Sequence, residues 1–99
     1  MAVVEVSVVP IGTSTPGLSA YVADCLKVLQ QAEGIKYELT SMGTIIEGEL
    51  DRVLDVVRQM HEVPFAGGVS RVVTTVKIDD RRDKAHTMAG KVSAVKSKL

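Results

Sequence analysis

The sequence predicts an α+β fold built from two β-α-β units and a C-terminal helix, and three observations carry this prediction. Valine-rich segments at 3–9 and 70–79 alternate between two sets of side chains, which is typical of strands. Apolar residues recur at steps of three and four across 17–32 and 49–62, which indicates two amphipathic helices. Short apolar segments between these helices complete two β-α-β units of similar length.

The order of the remaining elements follows from the breaks between apolar segments. Residues 36–42 and 44–47 are predicted as two short strands joined at Gly43, a residue suited to a tight turn or a bulge. Helical spacing across 81–98 predicts the last helix. The order β-α-β-β-α-β plus a helix is the split βαβ, or ferredoxin-like, arrangement, with an antiparallel four-stranded sheet.

Helix boundaries are predicted from breaking and capping residues. Pro64 and the glycines at 67–68 should end the second helix. The charged run at 79–84 is interpreted as a strand end and a helix start, where Asp80 or Asp83 caps the last helix and local ion pairs close the junction. A catalytic carboxylate pair in this run is the alternative.

Composition limits the chemistry that one domain, spanning 1–99, can perform. Twelve acidic and twelve basic residues balance, so no net charge attracts nucleic acid or a membrane surface. Aromatic residues make up 3% of the chain, which argues against base stacking on single strands. The single cysteine, Cys25, excludes an intrachain disulfide, an iron–sulfur cluster and a paired-cysteine metal site. Without a basic leader or a long apolar run, we expect a cytoplasmic protein with no membrane span.

The sheet face that two helices cannot cover calls for an explanation. Its predicted side chains mix polar and apolar groups: Glu5, Ser7, Val9, Val73, Thr75 and Lys77. Such a surface is too apolar for water and too polar for an interior, which favours a subunit interface or a ligand-lined surface. Because the chain is also small, we expect it to self-associate.

The loop at 10–19 is longer than a strand-to-helix connection usually needs. It carries four hydroxyls: Thr13, Ser14, Thr15 and Ser19. Near a helix N-terminus, where backbone N–H groups lack helical partners, such hydroxyls can hold a small polar molecule. The structural alternative is that Thr13 and Ser19 form turn or capping hydrogen bonds.

Glu47 is the carboxylate of greatest interest, because it follows the apolar pair at 45–46 near the end of a short strand. A carboxylate near the core needs a partner, since unpaired burial is costly. That partner is either an arginine of the protein, such as Arg71, or the amino group or cationic ring of a ligand, and the residues alone leave both open. His61 and His86 lie on different predicted helices and are interpreted as ordinary histidines.

Three stretches of the sequence, taken in order, carry a family resemblance. They are 10–13 with 18–22, 37–48, and 71–84. At these spacings the chain resembles the thiamine-binding protein family, small ferredoxin-like proteins also called YkoF-like. The resemblance implies a cytoplasmic domain that assembles into dimers and tetramers through its sheets. It also implies binding of thiamine, or of its hydroxymethylpyrimidine half, rather than catalysis.

Under this resemblance six residues form the candidate ligand site: Thr13, Ser19, Tyr21, Met42, Thr44 and Glu47. The carboxylate would accept a hydrogen bond from the exocyclic amino group or face the thiazolium charge. The hydroxyls would meet the ring nitrogens and the hydroxymethyl group. The methionine or the tyrosine would lie against the flat ring, although both suit core packing equally well. No catalytic residue, metal or cofactor is expected.

Two other functions remain open at this stage. One is an enzyme of the dimeric α+β-barrel type, with a pocket between paired sheets and Glu5 and Lys77 as acid–base candidates. The other is a structural or regulatory oligomer that binds no ligand.

Overall fold

A computed structural model of the protein describes residues 1–14 and 16–99, so Thr15, one of the predicted loop hydroxyls, lies outside the described residues. The elements, in chain order, are β1 (Ala2–Ile11), α1 (Ser19–Gln31), β2 (Lys36–Thr40), β3 (Gly43–Gly48), α2 (Leu50–Ala66), β4 (Arg71–Asp80) and α3 (Met88–Lys96). This is the predicted order of strands and helices.

The four strands form one antiparallel sheet in the order β2-β3-β1-β4, which confirms the ferredoxin-like prediction. Val4 of β1 lies opposite Ile46 of β3 and Ile78 of β4. Since alternate residues of a strand share a face, this register divides the sheet into a helix-covered face and a second face, here called the open face. Val3, Glu5 and the residues opposite them belong to the open face.

The core lies between the helix-covered face and helices α1 and α2. Its buried residues are Ala2, Val4, Val6, Cys25, Leu29, Ile46, Val53, Val56, Val57 and Met60. Complete burial of a valine or leucine side chain stabilises a fold by about 1.5–3 kcal/mol. The two amphipathic helices therefore attach to the sheet through the apolar spacing that predicted them.

Helix α2 runs through Pro64 to Ala66, so the predicted end at residue 62 is wrong. A proline inside a helix removes the N–H that would bond the carbonyl four residues earlier, which here is Met60. That carbonyl instead accepts a hydrogen bond from the Cys25 thiol at 3.5 Å. The helix continues past the proline because this acceptor has another donor and because Pro64 is itself buried.

Helix α3 begins at Met88, seven residues later than predicted, and neither Asp80 nor Asp83 caps it. The cap is Thr87, whose hydroxyl accepts a hydrogen bond from the Gly90 N–H at 2.9 Å. The two aspartates instead form the expected local ion pairs, at 2.7 Å from Arg82 and 2.6 Å from Arg81. These arginine contacts hold both carboxylates away from the N-terminus of α3, which begins at Met88.

The β2–β3 hairpin turns at Ser41 and Met42 rather than at Gly43, which already belongs to β3. The Thr40 hydroxyl donates to the Gly43 carbonyl at 2.8 Å and accepts from the Met42 N–H at 3.3 Å, which closes the turn. A Cβ at residue 43 would lie 3.1 Å from the Val6 carbonyl oxygen. Glycine is needed there for close approach to β1.

Candidate functional site

A cavity of about 330 Å³ lies where the sheet, α1 and the β2–β3 turn meet, and we call it the end cavity. It exists because β3 pairs with β1 only as far as Val6, whereas β4 pairs with it as far as Ile11. Beyond Val6, the edge of β1 is no longer paired with β3. The β2–β3 turn and the start of α1 border the space beside this unpaired edge. Its apolar wall consists of residues that include Leu18, Val22, Cys25, Leu39 and Met60.

Two of the six predicted site residues, Met42 and Thr44, line the end cavity. The Thr44 side chain is buried in the helix-covered face, whereas Met42 is 85% exposed at the turn. Polar groups at Ser7, Thr40 and Ser41 also border the cavity. An apolar pocket with a few hydroxyls suits a flat heteroaromatic ring with polar substituents.

Ser19 and Tyr21 are close in sequence to the cavity wall but are not among its described lining residues. They flank the wall residues Leu18 and Val22 at the start of α1. Ser19 is exposed and forms no capping hydrogen bond in the part of the chain described, so its predicted capping alternative is not observed. Tyr21 and the loop residue Thr13 are half-buried.

Cys25 also lines the end cavity, a position that the sequence did not predict. Burial, followed by the nearby Asp24 carboxylate, raises the pKa of its thiol above the ordinary value of 9.0. The thiol is therefore neutral at physiological pH and serves as a small apolar wall group. The apolar spacing of α1 predicted its inward orientation, but no local pattern predicted that the core would be open at this end.

Glu47 lies on the open face, away from the end cavity. Glu47 pairs with Val3 of β1 and Lys36 of β2. Its side chain therefore lies on the other face of the sheet from Thr44, three residues earlier in the same strand. The side chain is only 4% exposed, and its Oε1 accepts a hydrogen bond from the Met88 N–H at 2.9 Å. Arg71 is not its partner, because Arg71 lies opposite Ile11 at the far end of β1.

Helix α3 crosses the open face at this end of the sheet. Asp79 of β4 accepts a hydrogen bond from Lys91, and its Oδ2 lies 3.2 Å from His86 Nε2. The Lys91 hydrogen bond is the main reason why the pKa of Asp79 lies below its ordinary value. A groove of about 480 Å³ separates α3 from β2, and we call it the helix groove.

The acid–base candidates of the enzyme hypothesis, Glu5 and Lys77, lie directly opposite each other on β1 and β4. Both are exposed on the open face, and neither lines the end cavity or the helix groove. His61 is also engaged, because its Nδ1 lies 2.7 Å from the Thr74 hydroxyl and its ring packs edge-on against Phe65. Within the described residues no group of three potential ligands could hold a metal ion.

None of the helices in residues 1–14 and 16–99 combines the length and the apolar character that crossing a membrane requires.

Comparison with known proteins identifies relatives along the whole chain. A family model described as thiamine-binding protein matches residues 4–96. The UPF0045 protein YqgV of Bacillus subtilis is 52% identical over 102 residues, covering 100% of this chain and 98% of its own. A UPF0045 protein of Methanothermobacter thermautotrophicus is 41% identical over 100 residues, with 100% of both chains covered.

A solved structure supports the same relationship at the level of the fold. The crystal structure of a hypothetical protein from Methanocaldococcus jannaschii superimposes with a TM-score of 0.86 at 36% identity. The superposition covers 96% of this chain and 95% of that one.

Proposed function

Because the chain belongs to the thiamine-binding protein family, we propose that it binds thiamine or the hydroxymethylpyrimidine half of thiamine and does so as a homo-oligomer. The observation that carries this proposal is the family match across residues 4–96. In this proposal the protein is a cytoplasmic binding protein and not an enzyme. The dimeric barrel enzyme remains the second candidate, with Glu5 and Lys77 paired across β1 and β4 on the open face.

The end cavity supports the binding of a small heteroaromatic molecule. Its volume of about 330 Å³ falls at the lower end of the range for small-molecule sites, roughly 300–1,000 Å³. Met42 and Met60 offer polarisable side chains for the face of a pyrimidine ring. The hydroxyls of Ser41 and Thr44 can donate to ring nitrogens and accept from an amino group.

We assign the other predicted residues to the mouth of this cavity and to the oligomer. Thr13, Ser19 and Tyr21 would meet the substituents of the ring at the start of α1. Glu47 would accept from the amino group or face the thiazolium charge. Because Thr44 and Glu47 are about 10 Å apart along β3 and face opposite ways, a second copy would supply the carboxylate to a ligand in the end cavity.

The open face provides the surface for such an oligomer. Val73 is 45% exposed there, and Ile11 is exposed as well. Val9 and Ile45 add half-buried apolar groups to the same face. Burial of these side chains against another copy would remove apolar surface from water, which drives association.

A thermal-shift titration with thiamine and with hydroxymethylpyrimidine tests the proposal. We expect a saturable rise in Tm, because a ligand that binds only the folded state stabilises it. The rise should be lost in Glu47→Gln and in Ser19→Ala and greatly reduced in Thr44→Val, while Ser97→Ala at the end of α3 keeps it. Absence of any shift with either compound at millimolar concentration would overturn the proposal.

A further inference from the structure

Helix α3 is attached to the sheet by polar contacts and not by burial of its own side chains. The helix spans Met88–Lys96 and has no buried residue. Val92 and Val95 are 53% and 62% exposed. A segment with so little buried apolar surface is expected to open locally at a much smaller free-energy cost than the core.

Two carboxylates of the open face hold the first turns of this helix. Glu47 Oε1 accepts the Met88 N–H at 2.9 Å, and Asp79 accepts from Lys91. His86, just before the helix, is 9% exposed, and its Nε2 is buried 3.2 Å from Asp79 Oδ2 without hydrogen-bond geometry. The contact between His86 and Asp79 therefore leaves the buried Nε2 without a hydrogen bond, which weakens the attachment of α3 to the sheet.

The same helix conceals the one carboxylate that we assign to a ligand. Glu47 is 4% exposed, yet it forms part of the helix groove together with Glu38, Met88 and Val92. Any amino group or organic cation that approaches Glu47 Oε1 meets the Met88 N–H already bound there. Because the Glu47 side chain is only 4% exposed beneath the first turn of α3, such a ligand reaches this carboxylate only when that turn moves away.

We propose that α3 is a displaceable strap, whose first turn occupies Glu47 in the free protein and leaves it when an amino group or organic cation binds. This inference rests on the proposed function for the class of ligand. Suppose that a ligand binds only molecules in which the strap has left Glu47. Its apparent affinity is then its intrinsic affinity multiplied by the fraction of molecules in that open form. Any change that loosens the strap without touching Glu47 therefore strengthens binding.

Hydrogen exchange of the ligand-free protein tests the attachment. Amides of 88–96 should exchange much faster than those of β1. In Lys91→Ala and Asp79→Asn their exchange should accelerate about two- to fivefold, the equilibrium equivalent of losing an exposed ion pair. The matched control Lys98→Ala, at the same terminus, should leave it unchanged. Equal protection of α3 and β1, or no acceleration in either variant, would overturn the strap.

Calorimetric titration with thiamine tests the displacement. Lys91→Ala should bind thiamine about two- to fivefold more tightly than the unmodified protein, and saturating thiamine should accelerate exchange at 88–96. If thiamine binds while exchange at α3 slows or stays the same, the strap is wrong and the proposed function stands. If neither thiamine nor hydroxymethylpyrimidine binds to either protein, the proposed function and the displacement both fail.

Discussion

The carboxylate of Glu47 accepts a hydrogen bond from the backbone N–H of Met88 at 2.9 Å, across a sequence separation of 41 residues. This contact joins β3 to the first turn of α3 on the open face of the sheet. A nearly buried carboxylate and a helix N-terminus complement each other, because the unpaired N–H groups there carry partial positive charge.

Substitutions at Glu47 should separate its structural role from its ligand role. Glu47→Gln keeps an oxygen that can accept the Met88 N–H, so we expect a loss below about 1 kcal/mol in the free energy of unfolding. Glu47→Ala leaves that donor without its partner and should cost about 1–3 kcal/mol. Urea unfolding measures both values. Equal losses in the two variants would contradict a role for this hydrogen bond.

Cys25 should report on occupancy of the end cavity, because its thiol lines that cavity. Burial raises the thiol pKa, so iodoacetamide should alkylate the native protein far more slowly than the urea-unfolded protein. Saturating thiamine or hydroxymethylpyrimidine should slow the native reaction further. The chain has one cysteine, so the modified mass reports on this residue alone. A ligand that raises Tm but leaves the alkylation rate unchanged would bind elsewhere.

Gly48→Ala should destabilise the protein. The added Cβ would lie 3.1 Å from Ile35 Cγ2, 3.2 Å from Val53 Cγ2 and 3.3 Å from the Gly34 carbonyl oxygen. Overpacking of this kind costs about 1–3 kcal/mol in the free energy of unfolding, measured by urea denaturation. Gly17→Ala is the matched control, because a Cβ there meets nothing within 4 Å. A neutral Gly48→Ala would show that the β3–α2 junction adjusts freely.

The attachment of α3 should weaken in acid. The Lys91 hydrogen bond holds the pKa of Asp79 below its ordinary value of 3.8, with the charges of Lys91 and His86 acting in the same direction. A carboxyl group with a lowered folded-state pKa contributes stability above its unfolded value, and that stability disappears as the pH falls through the folded value. Exchange at 88–96 should therefore accelerate below the ordinary value of 3.8.

The Asp79→Asn variant is the control for this acid effect. It lacks the titrating group, so its exchange at 88–96, corrected for the intrinsic pH dependence, should change less between about pH 6 and about pH 2. An identical pH profile in both proteins would assign the acid effect to other carboxylates.

The open face should mediate self-association. Val73→Lys introduces a charge into an exposed apolar patch, so it should shift the protein toward smaller species in light scattering, because burial of an unpaired charge is costly. Leu54→Lys, on the partly exposed outer side of α2, is the control and should leave the molar mass unchanged. A monomeric unmodified protein would refute the expected assembly.

The predicted and observed elements agree where one segment determines its own structure. The apolar spacings of α1 and α2 and the alternation in β1 specify which side of each element is buried, and these helices and this strand follow. The errors fall where distant segments intervene. Pro64 stays helical because the Cys25 thiol bonds the Met60 carbonyl, and α3 starts late because Arg81 and Arg82 bind the aspartates expected to cap it.

The candidate site likewise combines features that the sequence predicts with features that depend on contacts in the folded chain. Periodicity and motif spacing, which are local properties of the sequence, predict the order of the elements, the ferredoxin-like class and the family. It is the folded chain that shows where β3 stops pairing with β1, at Val6, which opens the end cavity, and that Glu47 meets Met88. Both depend on contacts between segments far apart in the chain, and no local pattern of residues encodes such contacts.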